Sequence, residues 1–81
     1  MQDLIITSNQ LRAARALLGW KQSDLSRESK VSIQTIRRLE LMDGVIHANV
    51  PTLSKIIKTL IDNGISFSGD LKQLFSISLQ K

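Results

Sequence analysis

From residue 20 to residue 40 the chain reads Trp20-Lys21-Gln22-Ser23-Asp24-Leu25-Ser26-Arg27-Glu28-Ser29-Lys30-Val31-Ser32-Ile33-Gln34-Thr35-Ile36-Arg37-Arg38-Leu39-Glu40. The stretch predicts two short helices, over residues 22–29 and 33–41, joined by Ser29-Lys30-Val31-Ser32. Ser32 is a good N-cap, because its hydroxyl can accept from the free amides of the first turn. Val31 before that cap and Ile36 after it stand at hydrophobic-staple spacing, as Trp20 and Leu25 do around residue 21. Lys21 is a poor cap, since lysine offers no acceptor. Asp24 suits the positive end of the first helix's dipole. In the second helix Ile36 and Leu39 form the inward pair. Ile33, Gln34, Arg37 and Arg38 are left on the outer side.

Upstream, residues 7–18 predict another helix. Thr7-Ser8-Asn9-Gln10 fits a capping box, and Ile6 with Leu11 forms a third staple. Leu11, Ala14 and Leu18 repeat on one face, and Gly19 supplies a left-handed stop. Downstream, residues 50–63 predict a fourth helix. Asn49 caps it, Pro51 fits its first turn, and Leu53, Ile56, Ile57 and Leu60 follow the helical period. After Gly64 the period changes to two. Ile65-Ser66-Phe67-Ser68 and Phe75-Ser76-Ile77-Ser78-Leu79-Gln80 alternate, with turn chemistry at Ser68-Gly69-Asp70. A small C-terminal hairpin is expected, with Phe67, Phe75, Ile77 and Leu79 facing the helices. It must pack on those helices, pair with residues 4–6, or pair with a second subunit, because an isolated hairpin is marginal. Residues 71–75 remain open between strand and a helical turn.

The composition narrows the function. The 81 residues are 42% hydrophobic and 22% charged, which suits one globular domain with a small core. Residues 1–64 are expected to form that domain and residues 65–81 a β arm. There is no cysteine, so disulfides and thiolate metal sites are excluded. A single histidine, His47, cannot by itself build a zinc site or a catalytic triad. No nucleophile–base pair, paired carboxylates or phosphate-cradling glycine loop stands out. No enzyme activity, cofactor or metal is therefore expected. No apolar run approaches a membrane span, and no basic segment precedes the apolar residues at the N-terminus, so no signal peptide is expected. The expected location is cytoplasmic. The net charge is +4, and residues 21–38 alone hold five cations against two carboxylates. That surplus favours an anionic partner, nucleic acid before an anionic membrane surface.

Two short helices with such a joint fit a helix-turn-helix, whose second helix lies in the DNA major groove while the first crosses the backbone. Here the residues resemble a family. Residues 11–25, Leu11-Arg12-Ala13-Ala14-Arg15-Ala16-Leu17-Leu18-Gly19-Trp20-Lys21-Gln22-Ser23-Asp24-Leu25, are similar to the first two helices of the lambda-repressor/Cro-like (XRE family) helix-turn-helix regulators. Residues 31–40 resemble their recognition helix, and residues 52–60 with Gly64 their fourth helix. The likeness covers roughly residues 6–67 and extends to small bacterial stand-alone members that end in a short strand. It implies a mainly α fold, a lambda-repressor-like DNA-binding domain of four to five helices with a small C-terminal hairpin or strand arm.

The resemblance also implies roles. Ile33, Gln34, Arg37 and Arg38 match positions that reach base edges or nearby phosphates. Gln22 matches a phosphate-holding glutamine; Lys21, Ser32 and Thr35 join it as expected phosphate contacts. Arg15 and Glu40 match an ion pair tying the first helix to the end of the third. Two positions depart from the pattern. Lys21 stands where the family prefers Ser or Thr, exchanging a cap for a possible phosphate contact. Lys30 stands where the family prefers Gly, and a left-handed lysine costs about 1–2 kcal/mol.

Several features have plainer readings. Arg37 and Arg38 as a pair suit a solvated helix face as well as DNA. Ile33 suits either a thymine methyl or the core edge. Trp20 reads as core rather than as a stacking platform, His47 as a loop residue, and Lys55 and Lys58 as the solvated face of the fourth helix. The leading expectation is a sequence-specific transcriptional regulator, a repressor, binding double-stranded DNA as a homodimer. The alternative is an antitoxin-like or other protein-interaction module that grips a protein through its C-terminal arm, with DNA binding secondary.

Overall fold

The computed structural model describes residues 6–67 and 77–79. Four helices and two short strands follow in order: α1 (Ser8–Leu17), α2 (Gln22–Ser29), α3 (Ile33–Glu40), α4 (Val50–Asp62), β1 (Ile65–Phe67) and β2 (Ile77–Leu79). Each helix starts and stops within a residue or two of its expected bounds, and the caps give the reasons.

The α1 start is closed by its own side chains. The Gln10 amide donates to the Thr7 hydroxyl at 3.1 Å, and the Thr7 amide donates to the Gln10 side-chain oxygen at 2.8 Å. Both residues are buried, where an unsatisfied amide would cost most. Gly19 ends the helix at φ +69°. At α2, Lys21 makes no side-chain cap. Asp24 serves instead: its carboxylate accepts the Lys21 amide at 2.8 Å. That bond is the main reason the Asp24 carboxyl is held below its usual range, with Arg27 adding to it.

The joint between α2 and α3 turns on Lys30, at φ 64° and ψ 25°. This is the left-handed conformation expected at a position where the family prefers glycine. Two serines brace it. The Ser26 hydroxyl donates to the Val31 carbonyl at 2.6 Å, and the Ser29 hydroxyl donates to the Leu25 carbonyl at 2.6 Å while accepting the Val31 amide at 3.3 Å. Ser32 then caps α3 by accepting the Thr35 amide at 3.2 Å. Asn49 caps α4 in the same way through Thr52, at 2.9 Å.

The core lies between the four helices. Leu11, Leu25, Ile36, Leu39, Ile56 and Leu60 are wholly buried, and Ile6, Ala14, Val31, Ile46, Leu53, Ile57 and Ile65 complete it. The three staples close onto this cluster: Ile6 with Leu11, Val31 with Ile36, and half-buried Trp20 with Leu25. Burying a leucine or isoleucine contributes roughly 1.5–3 kcal/mol, so the inward face of α3 is firmly seated.

β1 and β2 pair antiparallel, with Ile65 opposite Leu79 and Phe67 opposite Ile77. β1 runs beside α4 and β2 beside α1. Phe67 packs on the core. Residues 6–8 meet the α3–α4 loop. Thr7 bridges Val45, the Ile46 amide donates to the Ile6 carbonyl at 3.0 Å, and the Ser8 amide donates to the Gly44 carbonyl at 2.9 Å. The α3–α4 loop is thereby held against the start of α1. Residues 4, 5 and 71–75, including Phe75, lie outside the described residues.

Candidate nucleic-acid interface

The 3.6-residue period of α3 sorts its side chains. Ile36, Leu39 and Glu40 are buried on one side. Gln34 and Arg38 lie diametrically opposite, and both are exposed. Arg37 is also exposed, but it sits about a sixth of a turn from Gln34, on the flank it shares with Ile33 and Glu40. Ile33 and Thr35 are half-buried, on opposite flanks. A helix with its far side fixed in a core presents Gln34 and Arg38 outward without any rearrangement.

Of the expected phosphate contacts, Lys21 and Ser32 are exposed while Gln22 and Thr35 are half-buried. Ser32 and Thr35 are already engaged with each other, hydroxyl to hydroxyl at 2.9 Å, beside the cap bond. Among the described residues, Lys21, Arg37 and Arg38 have no carboxylate partner. Asp24 and Glu28 pair with Arg27 on α2, Asp62 pairs with Lys58 on α4, and Glu40 at the end of α3 is taken by Arg15. Exposed cations without a carboxylate partner among the described residues thus stand at Lys21, Lys30, Arg37 and Arg38 along the α2–α3 unit, as well as at Arg12 on α1 and Lys55 on α4.

Behind this face stands a buried carboxylate. Glu40 is 3% exposed. It accepts from Arg15 Nε at 2.8 Å and from Arg15 Nη2 at 2.9 Å, a bidentate pair. The Gln22 amide donates to the same carboxylate at 3.1 Å. Arg15 also donates to the Trp20 carbonyl at 2.9 Å. The Glu40 hydrogen bonds raise the Arg15 pKa above its ordinary value, with burial acting against them. One carboxylate thus joins α1, the start of α2 and the end of α3. It ties the two helices of the helix-turn-helix unit to each other and to α1.

The composition of this cluster exceeds what the sequence alone indicated. Gln22 was expected on a phosphate, and its amide is half-committed to Glu40. Arg12 was not singled out at all. Its guanidinium donates to the Glu40 carbonyl and to the Asn9 side-chain oxygen. The available signal was its spacing, three residues before Arg15 on the same helical face. Arg12, Arg15, Gln22, Arg37, Glu40 and Leu41 together line an open concavity of about 440 Å³.

Other features stay peripheral. His47 is an exposed loop residue whose amide donates to the Met42 sulfur at 3.2 Å. Among the described residues, no group of three or more His, Cys, Asp or Glu side chains is assembled that could hold a metal, and no helix is long and apolar enough to cross a membrane.

A Helix-turn-helix family model matches residues 11–60, from within α1 to within α4. Neither a curated protein nor a solved structure matches the chain. The matched span covers more than half the sequence and contains the α2–turn–α3 unit, both of its caps and the three side chains joined at the buried carboxylate, Arg15, Gln22 and Glu40. The chain belongs to the lambda-repressor/Cro-like (XRE) family of DNA-binding helix-turn-helix regulators.

Proposed function

We propose that the protein is a sequence-specific transcriptional regulator that binds double-stranded DNA as a homodimer and represses by occupying its site. α3 lies in the major groove, which is about 12 Å wide and admits one helix. Gln34 reads a base edge, with adenine the bidentate partner for an amide. Arg38 reads a second base, for which guanine offers two acceptors. Ile33 meets a thymine methyl at the groove edge. Arg37 stands on the flank towards the backbone. Lys21 and Gln22 at the start of α2, with Ser32 and Thr35 at the start of α3, lie along phosphates. These contacts position the domain and supply its salt-dependent affinity. The protein acts where the DNA is, in the cytoplasm.

The observation that carries this reading is the two-sidedness of α3. One side holds Ile36 and Leu39 in the core, and the other holds Gln34 and Arg38 in solvent with Arg37 exposed on the flank, neither arginine paired with a carboxylate among the described residues.

One recognition helix reaches few base pairs, so the dimer is expected to bind two half-sites about 34 Å apart. Selection of bound duplexes from a random library tests this directly. A palindromic consensus with that spacing supports specificity and dimerisation together, and a reporter carrying the consensus at its promoter should fall in output. Recovery of no enriched sequence would transfer the protein to the class of protein-interaction modules.

A further inference from the structure

The concavity between α1, the start of α2 and the end of α3 has an uneven charge balance. Arg15 and Glu40 neutralise each other through two hydrogen bonds. Arg12 holds only neutral acceptors, a main-chain carbonyl and a carboxamide oxygen. A guanidinium has five N–H donors, so most of its capacity remains. Arg37 projects from the neighbouring flank of α3, exposed and without a carboxylate partner. Besides Arg15, two arginines on different helices therefore border one opening, and among the described residues the only acid lining it is already bound to Arg15. Such an opening suits a compact anion.

The position says which anion. With Gln34 and Arg38 directed at the groove floor, the flank that carries Arg37 faces the groove wall on the α1 side. That wall is the sugar–phosphate backbone. We infer that Arg12 and Arg37 clamp a single backbone phosphate of the bound duplex in this concavity, above the ion pair of Arg15 with Glu40 as a rigid floor. Arg37 is thereby a positioning residue and not a reader of bases, and α1 contributes to DNA binding. The inference rests on the DNA-binding reading above.

The test compares the wild-type chain with Arg12→Gln, Arg12→Lys, Arg37→Gln and Lys21→Ala, on the selected duplex and a scrambled one, across a salt series. Melting temperatures establish that each variant is folded at the assay temperature. Arg12→Gln and Arg37→Gln should each weaken both duplexes by the same factor, about eightfold per half-site near 0.1 M salt, and lower the salt slope by about 0.9 per half-site. Arg12→Lys should restore most of the slope. A methylphosphonate scan should find one phosphate per half-site whose neutralisation weakens the wild type and leaves Arg12→Gln and Arg37→Gln nearly unchanged. Inorganic phosphate at constant ionic strength should leave the melting temperature unmoved.

An unchanged slope in Arg12→Gln and Arg37→Gln, with a lowered slope in Lys21→Ala, would overturn the clamp while the DNA-binding reading stands. A changed base preference in Arg37→Gln would return Arg37 to the groove floor and also overturn it. A phosphate-dependent rise in melting temperature, lost in Arg12→Gln while the slopes stay unchanged, would assign the concavity to a free phosphorylated ligand. Failure of the wild type to bind any duplex would remove the underlying reading itself.

Discussion

Arg15 meets Glu40 at 2.8 Å, and Lys58 meets Asp62 at 2.9 Å. The distances are nearly equal, and the consequences differ because the surroundings do. The Glu40 side chain is 3% exposed and Arg15 is 21% exposed. Lys58 and Asp62 are 77% and 58% exposed, one turn apart on α4. Water and salt screen the second pair, so its net worth is small. The first pair has given up most of its hydration, and neither partner can be removed without stranding the other. The first also joins α1 to α3, reaches α2 through Gln22 and borders the candidate DNA face, whereas the second joins two residues of one helix. Charge on this protein is structural where it is buried between elements and available for a partner where it is left unpaired beside them.

The largest expected effect follows from breaking the buried pair. Arg15→Ala leaves Glu40 with only the Gln22 amide, and should destabilise the fold by about 3 kcal/mol, at the lower end for a buried pair because Arg15 is partly solvated. For a domain of this size that is a fall in melting temperature of roughly 12–24 °C, readable by circular dichroism. No change would mean the pair is fully solvated in solution.

Next come the two ends of the α2–α3 joint. Lys30→Gly should stabilise by about 1 kcal/mol, since glycine takes φ +64° without the steric cost that a side chain bears there. A loss of stability would place residue 30 outside the left-handed region. Ser32→Ala removes the α3 cap seen at 3.2 Å and should cost about 1 kcal/mol. Urea midpoints of the two variants should therefore move in opposite directions.

The exposed charges give the smallest effects. Lys58→Ala should change stability by less than about 0.5 kcal/mol, and a larger loss would erase the contrast between the two pairs. Asp24 supplies a pH dependence of known sign. Its carboxyl is held low in the folded chain, chiefly by the Lys21 amide. Its contribution is thus present above the unfolded carboxyl value and is lost as pH falls through the folded one. Asp24→Asn should flatten the acid side of the stability profile and leave its neutral side nearly parallel to wild type. An unaltered acid side would show that the cap bond is not held in solution.

Much of the fold was legible in short-range chemistry. Thr7 with Gln10, Ser32, Asn49 with Pro51 and the three staples announce helix starts, because a cap and a staple are local events spaced three to five residues apart. The left-handed Lys30 was legible only through the resemblance, as a position where the family prefers glycine. What the sequence left unread involves partners far apart along the chain. Pairing of Ile6 and Thr7 with the loop at Val45 and Ile46 has no alternating pattern to signal it. The engagement of Gln22 with Glu40 spans 18 residues, and that of Arg12 with the Glu40 carbonyl spans 28. The Asp24 cap was missed for another reason. Lys21 is a poor cap residue, and nothing in its own side chain signals that its amide is served by Asp24 three residues on. At the candidate interface, the outward positions of α3 followed from periodicity. The division between Gln34 and Arg38 on one side and Arg37 on a flank required the core to be located first.

The most direct test of DNA reading by α3 is the binding of wild type and Gln34→Ala to the selected duplex, to its single-base variants and to a scrambled duplex, at one fixed salt concentration. The account predicts that Gln34→Ala loses about 1–3 kcal/mol on the selected duplex. It should lose almost nothing on the scrambled one, so that discrimination relaxes at a single base pair per half-site. Uniform weakening of all duplexes, or no change on any of them, would contradict the placement of α3 in the major groove.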